Sequence, residues 1–332
     1  MHTAPAPICK VGALSPTSSV AAHMKIIITG AAGLVGQNLI SHLKTNTSYD
    51  LVGLDKHPAN TRTLRNLHPD VRVVEADLSE NGPWLRELEE AECVVIAHAQ
   101  IGGLVEEDFV RNNITATKHL LTGLAGNENC RLVHISSSVV NSSAVDWYTE
   151  SKKAQEELVL ESRHPTVVLR PTLMFGPLDR KHLGWLARFM TKVPLFPVPG
   201  NGRYLRQPLY VGDLCAIIAA CIRGRVTRGV YDITGQERIT FIDLMRLVRG
   251  ATEARTPIVR IPYRLFWLLL CVYGLVDRNP PFTTKQLEAL VTPDEFPMID
   301  WPAIFGVQAT QLKSALTETF RQSPTSAIVL EF

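Results

Sequence analysis

Short runs dominated by β-branched and aliphatic residues recur through the first half of the chain. They are Lys25–Thr29 (KIIIT), Leu51–Asp55 (LVGLD), Val71–Glu75 (VRVVE), Cys93–Ala97 (CVVIA), Arg131–Ser136 (RLVHIS) and Thr166–Arg170 (TVVLR). Runs this continuous, with few polar residues interleaved, predict strands buried on both faces. Between them, segments of helical spacing run from Val35 to Leu43, Trp84 to Glu90, Val110 to Leu124 and Thr149 to Leu160. Strand alternating with helix predicts βαβ units with right-handed crossovers, hence an α/β fold built on a doubly wound parallel sheet.

After Pro171 the pattern loosens, with prolines at 177, 194, 197, 199 and 208. Regular elements return at Val230–Thr234 (VYDIT) and in the helix-like Phe241 to Arg249. The expected division is a Rossmann-like unit over residues 24–175 and a smaller carboxyl-terminal substrate lobe over 176–332, with about 208–234 returning to the first unit. Residues 1–23 have neither the apolar core of a signal peptide nor the arginines of a transit peptide, and read as a disordered extension. Met24 directly precedes the first strand-like run and is a candidate translation start.

Composition narrows the class. Hydrophobic residues are 45% and charged residues 20% of 332, with 21 Gly and 21 Pro spread along the chain, which excludes disordered, collagenous and coiled-coil proteins. A net charge of +2 is too small for a phosphate-backbone surface, so no nucleic-acid partner is expected. The six cysteines are scattered without metal-ligand spacing, so no metal site is expected and a reducing, cytoplasmic setting is. The longest apolar stretch, Leu265 to Val276 (LFWLLLCVYGLV), falls short of the ~20 residues that span a bilayer, so no transmembrane segment is expected. Its simplest reading is a helix packed within the second lobe; a face resting on a membrane is the alternative if the substrate is lipid-linked.

The first strand runs into Gly30-Ala-Ala-Gly33-Leu-Val-Gly36 and then a helix. Glycine is needed where a strand-to-helix turn bends sharply and where backbone approaches a pyrophosphate seated on the helix amino terminus. Asp55 ends the second strand 19 residues past Gly36, near the ~20 expected of an acid that bonds an adenosine ribose. A carboxylate there repels a 2′-phosphate, so NAD is the expected cofactor, with NADP possible because Lys56 and Arg62 follow closely. Asp77, after the third strand, is placed either to accept from an adenine amino group or to cap a helix.

Tyr148 and Lys152 stand four apart in what reads as a helix beginning near Asp146, so they share a face. A phenol is a weak base near neutrality, and a neighbouring ammonium lowers its pKa. Ser136, Ser137 and Ser138 close the fifth strand at the sheet edge where open α/β folds place their ligand crevice. His98 and His134 read as hydrogen-bonded interior histidines rather than catalysts.

With these pieces in place, residues 24 to 320 resemble an extended short-chain dehydrogenase/reductase of the NAD-dependent epimerase/dehydratase family. The matching segments are TGAAGLVG (29–36), Asp55, ADL (76–78), VVIAHAQ (94–100), NNITAT (112–117), SSS (136–138), YTESK (148–152), LRPTLMFGP (169–177) and RQPLYVGDL (206–214). The resemblance implies Ser138 as the catalytic hydroxyl with Ser137 as the fallback, Tyr148 as acid/base, and Lys152 as its activator and a ribose contact. It implies cofactor contacts at Gly30, Gly33, Leu34, Val35, Gly36, Asp55, Asp77, Leu78, Ala97, His98, Ala99, Tyr148, Lys152 and Pro171. Asn113 resembles a structural asparagine, and Ser137, Ser138 and Arg206 become candidate substrate contacts, Arg206 for a diphosphate. A nucleotide-sugar substrate and a homodimer are expected on the same ground.

Two departures bear on the reaction. Where family dehydratases carry an acidic pair after the serine or threonine, this chain has Val139 and Val140, which disfavours dehydration. Only 10 residues separate Ser138 from Tyr148, without the proline-rich insert of many nucleotide-sugar epimerases. Epimerisation of a UDP-hexose or UDP-N-acetylhexosamine at C4 is the expected reaction. The alternatives are an NAD(P)H-dependent reductase or dehydrogenase of a keto sugar or sterol-like alcohol, and, lower, a non-catalytic relative.

Overall fold

A computed structural model describes residues 24–142, 145–276, 284–292, 296–323, 325 and 328–331. Its centre is a parallel sheet of seven strands: β1 (Lys25–Thr29), β2 (Asp50–Asp55), β3 (Arg72–Glu75), β4 (Cys93–Ile96), β5 (Arg131–Ile135), β6 (Thr166–Pro171) and β7 (Gly229–Ile233). In space they run β7-β6-β5-β4-β1-β2-β3, so the winding reverses between β1 and β4. That switch point opens a crevice at the carboxyl ends of the strands. Six of the seven strands coincide with the aliphatic runs to within a residue at each end. Ile26, Ile27 and Ile28 are 0% exposed, which is why those runs carry no alternation.

Helices cover both faces: α1 (Leu34–Asn46), α2 (Pro58–Leu67), α3 (Ala116–Gly123), α4 (Trp147–Glu161) and α5 (Val211–Ile222). Each face has its own core, one around Ile26, Ile28, Leu39 and Ile218, the other around Ile27, Leu54, Val94 and Leu120. The stretch from Val110 to Leu124, expected as one helix, opens with a π-helical turn over Val110–Thr115 before α3 begins. That wider turn carries Asn113, 0% exposed, whose side chain bridges Gln100 and Ser151.

The carboxyl-terminal part is built from short strands and helices that include α6 (Phe241–Ala251), α7 (Tyr263–Val276), α8 (Thr284–Val291) and the short Trp301–Phe305. Phe196–Pro199 pairs in parallel with Ile258–Ile261, and Leu205–Arg206 pairs antiparallel with Ile239–Thr240. β7 returns from this part to the sheet and pairs with β6. The apolar stretch at 265–276 does form a helix, but it is not packed within the lobe: Leu265, Trp267, Leu268, Leu269 and Val272 are each about half exposed. A helix apolar around its whole circumference can bury only the side that meets its neighbour. Residues 1–23, expected as an extension, lie outside the described residues.

Candidate active site

The glycine loop owes its shape to steric necessity at two positions. Gly30 has φ of +64°, and a Cβ there would stand 2.6 Å from the Ala97 carbonyl oxygen across the switch point. A Cβ on Gly36 would come within 2.5 Å of the Gly30 carbonyl oxygen, so the first turn of α1 could not close on the loop. Gly33 is the N-cap of α1 and offers no side-chain acceptor. Gly33 itself lies on the crevice wall, while Leu34, Val35 and Gly36 do not, so the positive dipole end of α1 meets the crevice through Gly33 and the uncapped first amides follow behind it.

Asp55, at the tip of β2, holds this loop. Its Oδ2 accepts from the Ala32 amide at 2.9 Å and its Oδ1 from the His57 amide at 2.9 Å. Each carboxylate oxygen keeps a lone pair for a ligand hydroxyl. The crevice has a volume of about 670 Å³, and its walls include Gly30, Gly33, Asp55, Asp77, Leu78, Ala97, His98 and Ala99. Asp77 is more engaged than expected: one oxygen accepts from the Ser79 amide (3.0 Å) and hydroxyl (2.7 Å), the other from Arg111 (2.8 Å) and Lys56 (3.3 Å). Lys56 also donates to Asn112 at 2.6 Å, so it leans across the crevice towards Asp77.

The second cluster lies at the ends of β5 and β6. α4 starts at a firm cap, where Asp146 accepts from the amide and hydroxyl of Thr149, both at 2.9 Å, and this puts Tyr148 in the first turn. Arg170 of β6 and Ser136, the residue after β5, both bond Glu156, which fixes the middle of α4 against the sheet. The Tyr148 phenol hydrogen-bonds Ser137; burial raises its pKa above the ordinary phenol value, and the Ser137 bond pulls the other way. The hydroxyl that meets Tyr148 is thus that of Ser137, while Ser138, 7% exposed, opens the 3-10 turn Ser138–Asn141 that also carries Val139 and Val140. Pro171 ends β6 beside this cluster.

Lys152 departs from expectation in its partners. Its side chain is 1% exposed, and Nζ donates to the Ile135 carbonyl at 3.0 Å and to Gln155 Oε1 at 2.6 Å. Burial lowers its pKa to about 7, against a smaller upward pull from Glu156. Turned inward onto the end of β5, the ammonium anchors α4 rather than reaching for the phenol.

Behind it runs a chain of buried polar groups. Gln155 Nε2 donates to Thr117 Oγ1 at 3.0 Å, and Thr117 spends its own proton on the Asn113 carbonyl at 2.7 Å. The contact of 3.1 Å between His98 Nε2 and Thr117 Oγ1 then requires the proton on Nε2, leaving Nδ1 to accept from the Thr29 hydroxyl at 2.8 Å. Burial first, and the Lys152 charge second, press the His98 pKa down to about 3, so the ring stays neutral as that assignment demands.

The sequence profile of the NAD dependent epimerase/dehydratase family matches residues 26–233 of this chain. The chain belongs to that family. Among curated relatives, the low-salt glycan biosynthesis protein Agl12 of Haloferax volcanii is 27% identical over 241 residues, covering 63% of this chain and 76% of its own. The dTDP-glucose 4,6-dehydratase of Streptomyces niveus is also 27% identical, over 71% of this chain and 80% of its own. The crystal structure of UDP-glucose 4-epimerase with UDP-glucose from Thermotoga maritima superposes with a TM-score of 0.69 at 18% identity, over 89% of this chain and 97% of that one, a likeness of fold.

Membership implies NAD, and the residues present fit it. A cradle that no Cβ could share, a helix start without a side-chain cap and a carboxylate at the end of β2 are the three features a dinucleotide needs. Sequence reasoning missed Gln155, Thr117 and Thr29, which order the interior of the site, and Arg180, a cation lining the crevice under the influence of Asp55. Gln155 was accessible in principle, because it continues the helical stripe Tyr148, Lys152; Arg180 sits in an irregular loop with no pattern to mark it.

Arg206 is not among the residues that line the crevice. Its guanidinium, over the Tyr204 ring, bonds the carbonyls of Leu290 and Thr292 at the carboxyl end of α8. A diphosphate at Arg206 would have to compete with those carbonyls.

Proposed function

We propose that this family member epimerises a nucleotide sugar at C4, of the UDP-hexose or UDP-N-acetylhexosamine type. The observation that carries the reading is the company Tyr148 keeps: a bonded serine, a buried lysine on the same helix, and valines at 139 and 140 where a dehydratase would hold its acidic pair. Elimination of water needs a further acid and base; reversible oxidation of one alcohol does not.

When bound, NAD supplies a reversible hydride acceptor. Tyr148, entering as the phenolate, takes the proton of the sugar hydroxyl and returns it to the same oxygen, so no net proton is consumed. Since burial holds the phenol above its ordinary pKa, this role requires the Lys152 ammonium to turn from the Ile135 carbonyl towards it in the loaded site. Ser137 can hold that oxygen in line with the phenol, with Ser138 at the start of the next turn as a second hydroxyl. Lys152 and Gln155 keep α4 in register with β5, which sets the height of Tyr148 above the sheet edge. The leading amides of α1 and the Asp55 carboxylate would hold the dinucleotide.

The test is to incubate the protein with UDP-hexoses and UDP-N-acetylhexosamines, following C4 configuration by proton NMR and reduced nicotinamide by absorbance. Inversion without net accumulation of reduced cofactor is expected. Stoichiometric oxidation or reduction of added cofactor, with no epimer from any substrate, would overturn the proposal in favour of a reductase.

A further inference from the structure

We propose that α7 docks this protein on the surface of an anionic phospholipid bilayer, with the helix lying in the interfacial plane. The inference is independent of the reaction proposed above.

Leu265 (49%), Trp267 (46%), Leu268 (53%), Leu269 (52%) and Val272 (53%) are exposed along one helix. Contiguous exposure on this scale marks an interaction surface. At 3.6 residues per turn these side chains, with Tyr263, sweep well over half of the circumference, while Phe266 and Leu270 are half-buried on the side that meets the protein. A flat protein partner covers one side of a helix; acyl chains close around a convex one.

Shape argues the same way against a second copy. The helix is a single convex rod of fourteen residues, about 21 Å long, and a flat partner pressed on one side of it would leave part of the apolar circumference in water. Nor is the helix long enough to cross a bilayer, which takes about 20 residues.

Charge selects the lipid. Around the helix the chain carries Arg255, Arg260 and Arg264, all three exposed, while the nearest acidic residues in sequence are Glu253, paired with Arg321 at 2.6 Å, and Asp277 at the far end. Arg264 lies one turn from Trp267, so a guanidinium and an indole stand together where headgroups meet acyl chains. Basic side chains flanking an apolar helix are drawn to the negative potential of an anionic leaflet. α7 packs on α8, whose carboxyl end holds Arg206, so docking turns the Arg206 side of the molecule towards the lipid.

The experiment is vesicle flotation of the full chain with phosphatidylcholine alone and with phosphatidylcholine containing about one third phosphatidylglycerol. The native chain should float with the anionic vesicles. Leu268→Glu/Leu269→Glu should lower the bound fraction about tenfold or more, because it removes apolar area at the centre of the face. Arg260→Glu/Arg264→Glu should abolish the preference for phosphatidylglycerol. Both variants should keep the native unfolding temperature and NAD affinity, since neither touches the dinucleotide crevice. Failure of the native chain to float with either vesicle overturns the proposal, as does flotation unchanged in both variants. Dimerisation in light scattering that the leucine variant abolishes, without vesicle binding, assigns the face to a second copy. Flotation only after removal of residues 1–23 assigns it to that segment.

Discussion

Gln155 Oε1 accepts a hydrogen bond from Lys152 Nζ at 2.6 Å, while the same amide donates to Thr117 Oγ1 at 3.0 Å. The two contacts fix which way the amide points, since only its oxygen can face an ammonium whose every proton is a donor. Gln155 is 0% exposed, so no water replaces what it provides. Gln155→Leu should therefore cost about 1–3 kcal/mol in urea unfolding, the penalty for buried polar groups left without partners. A variant as stable as the native chain would mean that the chain of bonds from Lys152 to His98 is not closed.

The bond between Tyr148 and Ser137 separates two serines that look alike in sequence. Tyr148→Phe should abolish turnover while leaving NAD affinity within about twofold, because the phenol oxygen is not part of the dinucleotide cradle. Ser137→Ala should lower kcat by about 100-fold, the scale of one lost donor at the reacting oxygen, and Ser138→Ala by less. Steady-state rates on the substrate that passes the epimer assay decide the order. A larger loss for Ser138→Ala would return the catalytic hydroxyl to Ser138.

The sheet was legible because strands buried on both faces leave uninterrupted aliphatic runs, and chain connectivity then restricts how such strands can be wound. The glycine loop, Asp55 and the pairing of Tyr148 with Lys152 were legible for the same kind of reason: each is a local spacing with a local cause. What spacing cannot specify is where a long side chain turns. Lys152 was expected beside the phenol, yet its ammonium lies under the end of β5, because the Ile135 carbonyl and Gln155 arrive there from other parts of the fold. The exposure of α7 was hidden for a related reason, since a helix apolar all round reads identically whether its neighbours cover it or not.

Asp55 is both a loop anchor and a candidate ribose acceptor, and its substitution tests both. Asp55→Ala leaves the Ala32 and His57 amides without the carboxylate that now accepts from them. Charge-assisted bonds of this kind are worth about 1.5–3 kcal/mol, so NAD affinity measured by calorimetry should fall by about 10-fold to 100-fold. In the native chain NAD should bind more tightly than NADP, and the variant should narrow that gap by removing the repulsion on a 2′-phosphate. Native NADP affinity exceeding that for NAD would falsify the assignment and point to Arg180, which shares the crevice.

Two of the groups whose charge the fold suppresses, His98 and Lys152, should appear in the pH dependence of stability, each in its own window. His98 has a folded pKa of about 3 against 6.5, so between those values the unfolded chain binds the extra proton and stability falls as the pH is lowered. Lys152 has a folded pKa of about 7 against 10.5, so the unfolded chain again holds more protons and stability rises from pH 7 towards 10.5. Each group contributes a slope of roughly 1.4 kcal/mol per pH unit while its proton is bound in one state only. His98→Gln should flatten the profile below pH 6.5 without touching it above pH 7. It should flatten it only in part, because burial also holds the His134 pKa well below its ordinary value. Lys152→Met should do the converse, removing the rise between pH 7 and about 8.5 and leaving the acid limb. Above that the buried thiols of Cys93, Cys130, Cys215 and Cys221, whose pKa values burial raises, lower stability with rising pH in both chains. Urea unfolding at pH 5, 6.5, 8 and 9.5 separates the two windows, and profiles that both variants leave unchanged would show that neither group is buried in the charge state described here.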